Sequence, residues 1–315
     1  MFKFPGGLAA TVPEGCGWRE LSSVPYVDRL VMSRKSSVRL AGYLLLLSLL
    51  NTASASLQFH FDDQFDAEQR DQLKGWVSEV ASGVEALVGE FGFDVHIHFR
   101  RARSREPVPW ANTLRGRRQG IRFHVDPRHS ESRFRDDWTA SHELSHLVLP
   151  YVGRRDSWFA EGFASYMQYQ VMHANGVLSA DAAARRYNER LDNARRNYRY
   201  PRQPFLAVTG QLRRDRAYRT LYWGGAAYFI DVDRVLRAQG SSLVTVLGAY
   251  LDCCRRNTAE LDSLVADLDR LSGSSVFSDT LHRYRRTPGF PPTEPVNASI
   301  VAQQDATSAH RIRIE

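Results

Sequence analysis

Apolar residues recur at helical spacing over 66–91, where Leu73, Trp76, Val77, Val80, Val84, Leu87 and Val88 fall on one stripe, so this stretch predicts one long helix. On either side the period changes to two. Residues 56–62 alternate enough for a short strand, and 93–99 alternate strictly, giving a half-buried strand with His96 and His98 on its polar face. Those two histidines are nominal metal ligands at most, because the open face of a strand already accounts for them. Residues 120–126 read as a further strand. From 136 onward the pattern is helical. One helix covers 136–149 and is stopped by Pro150, and the next begins at Ser157 after a loop that contains Gly153. Helices follow over 179–198, over 219–239 closed by Gly240, and over 242–254. Asn257 with Glu260 has the form of a capping box for a helix running to Leu271 and ended by Gly273. A last helix covers 276–285. Four prolines lie between 288 and 295, and 292–315 is expected to be a loose polar tail. The fold class is therefore α+β, a small N-terminal sheet with one long helix followed by a mainly helical half.

The front of the chain follows another logic. A basic stretch over 33–39 precedes an apolar run over 40–50, and Ala53-Ser54-Ala55 supplies small residues for cleavage. This reads as a secretory signal peptide cut before Ser56, with translation beginning at Met32. Residues 1–55 are then leader and signal, and 56–291 form a single domain large enough for a proper core. The expected location is secreted or periplasmic. An uncleaved anchor over 40–50 is the alternative, but the run is short for a bilayer, so no stable membrane insertion is expected after cleavage.

Charge changes this picture little. The formal net charge is +7, of which +3 lies in residues 1–55, leaving +4 for the rest. Lysine occurs only at Lys3, Lys35 and Lys74, so the basic character is almost wholly arginine. The Arg-rich runs at 101–105 and 195–202 read as solvated loop faces rather than a nucleic-acid surface. Cys16 falls in the leader. Cys253 and Cys254 are adjacent, and neighbouring cysteines rarely bridge each other. They are expected to fill the buried face of a helix as small apolar residues.

The candidate chemistry sits at His142-Glu143-Leu144-Ser145-His146, an H-E-x-x-H string. On a helix, residues four apart stack on one face, so both imidazoles can reach one metal ion with Glu143 beside them as a general base. A catalytic zinc takes three protein ligands and keeps one position open. Glu161 is the only acid in the first two turns of the next helix, among Phe159, Phe163 and Tyr166. A carboxylate in such company needs a cation or hydrogen-bond partners. His142, His146 and Glu161 are thus the expected ligands of one Zn2+.

The segments SHELSH (141–146) and WFAEGFASYM (158–167) resemble the gluzincin metallopeptidases, in particular the glycyl aminopeptidase family. Tyr222-Trp223-Gly224-Gly225-Ala226 is similar to that family's Tyr-bearing helix, and 261–291 resembles its closing segment. The resemblance covers roughly residues 136–291. It implies a zincin-like, thermolysin-type domain, hydrolysis of peptide bonds, a peptide or protein substrate, and Tyr222 as donor to the developing oxyanion. Tyr218, one turn earlier, is a rival donor. By the same analogy an edge strand runs along the cleft to pair with extended substrate, and 120–126 is its candidate. Two family features are missing. No acid lies between 109 and 125, where the aminopeptidases bind a free amino group, and Ser165 stands where some gluzincins carry an Asp that orients a ligand histidine. The alternatives from other classes are a catalytically silent binding protein and a zinc amidohydrolase acting on a non-peptide amide.

Overall fold

The computed structural model describes residues 56–301. The expected leader, signal segment and start at Met32 fall outside these residues, as do 302–315.

Strand β1 (Leu57–Phe61) leads into α1 (Ala67–Val88), then β2 (Val95–Arg101), β3 (Trp110–Leu114) and β4 (Gly120–Val125). Asp66 caps α1 reciprocally. Its carboxylate accepts from the Gln69 N–H at 2.8 Å, and the Gln69 side chain accepts from the Asp66 N–H at 3.4 Å. The sheet order is β1-β2-β4-β3, with β1, β2 and β4 parallel and β3 antiparallel to β4. Alternation sends Val95, Ile97, Phe99, Ile121, Phe123 and Val125 to one buried face, which α1 covers through Trp76 against Phe123. The edge strand beside the helical half is therefore β3. This corrects the expectation that 120–126 forms that edge. β4 is parallel to β2 and lies inside the sheet, and strand order depends on long-range pairing that no local pattern encodes.

Helices α2 (Glu131–Arg135) and α3 (Thr139–Ser145) replace the single helix expected over 136–149. The Asp137 carboxylate accepts the Thr139 N–H at 2.8 Å, so its side chain restarts the helix in the way an N-cap does. Beyond Ser145 the bonds tighten to three-residue spacing, from Leu147 N–H to the Leu144 carbonyl and from Val148 N–H to the Ser145 carbonyl.

The helical half is α4 (Ser157–Ala174), α5 (Ala180–Arg196), α6 (Phe205–Arg214), α7 (Tyr218–Ala238), α8 (Leu243–Cys253), α9 (Leu261–Ser272) and α10 (Val276–Arg286). Its centre is the α4–α7 pair, where Trp158, Phe159 and Phe163 pack edge-on against Tyr228 and Phe229. Buried Asp233 on α7 ties three helices together. It accepts Tyr166 Oη at 2.9 Å, Arg237 Nε at 2.7 Å and the Leu243 N–H at 2.6 Å. An acid this deep is tolerated because its oxygens are satisfied. Helix α6 is absent from the sequence reading, although Phe205, Val208, Thr209 and Leu212 have the spacing of a buried helical face.

Three further expectations change. Asn257 does not form a capping box. Its Oδ1 accepts from Gln119 at 2.9 Å instead, and α9 starts after Glu260 without a side-chain cap. Gly273 does end α9 in the left-handed conformation, φ 66°. The stretch up to 301 is packed rather than loose. Val296, Ile300 and Val301 are buried, and the Asn188 amide both donates to and accepts from the Val296 backbone at 2.8 Å. Cys253 and Cys254 are bonded to each other instead of both filling a buried helix face, and only Cys254 packs, partly buried, against the core. Helix α8 ends between them, so Cys254 leaves the helical conformation, and Cys253 is exposed.

Candidate metal centre

Helices α3 and α4 meet behind β3, and the open space between them is a cavity of about 440 Å³. One turn of α3 separates His142 from His146, whose N–H donates to the His142 carbonyl at 3.3 Å. Both imidazoles are buried and point the same way. The Glu161 Oε2 atom on α4 lies 3.3 Å from His142 Nε2 and 3.6 Å from His146 Nε2. The three ligand atoms all fall within 4.8 Å of one another. Two imidazole nitrogens and one carboxylate oxygen, with a cavity on the remaining side, form a donor set that suits zinc with one open position. The sequence-predicted ligands are thus brought together.

Electrostatics follow from the packing. Burial pushes the Glu161 carboxyl up, but the charges and hydrogen bonds of His146 and His142 outweigh it and hold the group well below the usual carboxylate range. Burial lowers the His142 imidazole, and the opposing pull of Glu161 leaves it raised overall. Each side therefore favours the charged form of the other, which is what a cation seated between them would replace.

The partner that Ser165 does not supply comes from one turn further along α4. Gln168 Oε1 lies 3.2 Å from His142 Nδ1 in a buried contact. An amide oxygen can only accept, so His142 Nδ1 donates to it and Nε2 is the atom left facing Glu161 and the cavity. Gln168 lies seven residues after Glu161, two turns along the same face. That spacing was the only available signal, and one amide among many polar residues does not stand out.

Glu143 also faces the cavity. Thr113 Oγ1, on edge strand β3, donates to Glu143 Oε2 at 3.0 Å, and Glu143 lines the open space. Arg115, just past β3, donates to the carbonyls of His146 at 2.8 Å and Leu149 at 3.2 Å, satisfying the end of the metal-bearing segment. Burial and the Arg255 charge bring its guanidinium down to about 10. Neither Thr113 nor Arg115 stands out in the sequence, where 109–125 is marked only by its lack of an acid.

Tyr222 lines the same cavity, and its ring stacks on His142 with centroids 6.0 Å apart. Burial, then the charges of Glu161 and Glu143, push its hydroxyl above the ordinary tyrosine value, so it stays protonated as a donor. Tyr218 packs on Tyr222 at 6.4 Å but does not line the cavity. The mouth carries Trp110, Trp138 and Tyr151, which are 54, 40 and 43% exposed.

No protein-family model matches this chain, and no curated protein matches it. Among solved structures it is similar to a two-domain M1 zinc metallopeptidase mutant bound to L-arginine, with 15% identity and a TM-score of 0.47 over 76% of this chain and 50% of that one. The M1 zinc metallopeptidase from Deinococcus radiodurans gives 16% and 0.46 over 76% and 50%. A mutant from the same organism bound to a Tyr-Ser-Ala substrate gives 17% and 0.46 over 75% and 48%. The chain spans about half the length of these structures.

Proposed function

We propose that this protein is an exported zinc peptidase of the gluzincin, thermolysin-like type, holding one zinc in the cleft and cutting within extended polypeptides. One observation carries the reading. His142, His146 and Glu161 converge, with Glu143 beside them, on one accessible cavity. When bound, zinc supplies a Lewis acid that polarises a carbonyl and makes water acidic enough to ionise near neutral pH.

The residues of the chain would do the rest. His142, His146 and Glu161 hold the ion, and Gln168 fixes the tautomer of His142. Thr113 holds Oε2 of Glu143, so Oε1 takes the proton of the attacking water and passes it to the leaving nitrogen. The Tyr222 hydroxyl donates to the oxygen on which charge develops, stabilising the transition state more than the ground state. Extended substrate pairs with the free edge of β3.

Two features support internal cleavage beside apolar residues. Among the described residues lining the cavity, the carboxylates are Glu143 and Glu161, both committed to the chemistry and neither placed for a free amino terminus. Trp110, Trp138 and Tyr151 offer aromatic surface to side chains entering from solvent. A secreted or periplasmic location fits the bonded Cys253–Cys254 pair, since oxidising compartments maintain such bonds. Among the described residues, no helix is long and apolar enough to cross a membrane.

The test is metal content of the purified protein together with cleavage of a mixed peptide library read by mass spectrometry. Tightly held zinc and cuts at internal bonds are expected, and His142→Ala should remove both. Zinc without any cleavage would overturn the peptidase reading. Stepwise loss of N-terminal residues would overturn the internal mode.

A further inference from the structure

The face of the sheet turned away from α1 carries three histidines in contact. Alternation along β1 and β2 places His60, His96 and His98 opposite the buried Val95, Ile97 and Phe99, and the parallel register sets His60 beside His98. His60 Nε2 lies 3.0 Å from His96 Nδ1. The two rings share a hydrogen bond there, and a cation would take the place of its proton; nitrogens bound to one tetrahedral zinc at about 2.0–2.1 Å stand roughly 3.3 Å apart, so the exchange needs only a small opening of the pair. The His98 ring stacks on His60 with centroids 4.5 Å apart and planes 19° from parallel. Its Nδ1 lies 3.2 Å from Asp62 Oδ1, which leaves Nε2 with a free lone pair. A carboxylate behind a histidine is the arrangement that orients and strengthens metal-ligating imidazoles.

We propose that this open face holds a second zinc-type cation site, with His60, His96 and His98 as ligands and Asp62 behind His98. A turn of the His98 ring towards the His60–His96 pair closes the set. The ion would clamp the outer strand β1 to β2.

The surroundings set its strength. Arg100 and Arg122 share Asp62 at 3.3 and 3.9 Å, and with Arg118 they oppose an added cation. The three rings are half-buried on an accessible face, so the ion should exchange readily and bind more weakly than one in the cleft.

The proposal does not depend on the function of the cleft, and the experiment separates the two. In full-length His142→Ala protein, zinc should still bind at about one equivalent by calorimetry and raise the melting temperature. Cobalt should give the visible absorption of a tetrahedral site. Adding His96→Gln should abolish all three signals. As a check that does not rely on the His142 variant folding, the unaltered protein in micromolar free zinc should lose one of its two equivalents on His60→Gln or His96→Gln, with peptide cleavage unchanged. A single equivalent in the unaltered protein, or signals that survive His96→Gln, would overturn the site.

Discussion

Gly162 on α4 and Gly225 on α7 meet backbone to backbone. A Cβ at Gly162 would stand 2.3 Å from the Gly225 carbonyl carbon, and one at Gly225 would stand 2.2 Å from the Trp158 carbonyl oxygen. The contact sets how closely two helices approach, and each delivers one cavity residue from beside its glycine: Glu161 directly before Gly162, and Tyr222 one turn before Gly225.

Gly225→Ala should therefore destabilise the fold by about 1–3 kcal/mol through overpacking against immovable backbone. It should also weaken metal retention, because Glu161 is displaced with α4. Denaturant melts and zinc content check this. An unchanged melt would mean the helices can separate without cost.

Gln168→Leu keeps the bulk of the side chain and removes the acceptor on His142 Nδ1. Metal affinity should fall about 10- to 100-fold, read by competition against a chelator. Affinity equal to that of the parent would leave Gln168 as packing only.

Glu143→Gln preserves shape but cannot take a proton. Turnover should drop by about a hundredfold or more with zinc content unchanged. Parallel loss of zinc would instead make Glu143 a structural residue.

Thr113→Val removes the single hydroxyl that holds Glu143 Oε2. A hydrogen bond to a charged group contributes about 1.5–3 kcal/mol, so kcat should fall about tenfold or more while KM and zinc content hold. Thr113→Ser should restore it. Failure of that rescue would point to lost packing at the β3 edge.

Tyr222→Phe deletes only the hydroxyl. The rate should fall roughly tenfold to a thousandfold with KM little altered and the melt unchanged. A Phe variant that turns over like the parent would reduce Tyr222 to a ring stacked on His142.

Local periodicity determined the elements and part of the site. The stripe from Leu73 to Val88 made α1, and alternation in 93–99 made β2, because a segment's own φ/ψ period decides which side chains share a face. The same rule placed His142 over His146, since one turn of helix is a fixed rise. Glu161 could be singled out because an acid among aromatics demands a partner. Only the tertiary structure decided what each face meets. It made β3 rather than β4 the edge, brought Thr113 to Glu143 and Gln168 to His142, and showed that the glycines of α7 answer Gly162 and Phe205. It joined His60 to His96 and His98 across two strands, and bonded Cys253 to Cys254 where a helix ends. The physical reason is the same each time. A residue's spacing along the chain fixes its direction on its own element, while its partner is chosen by the packing of other elements, which spacing does not record.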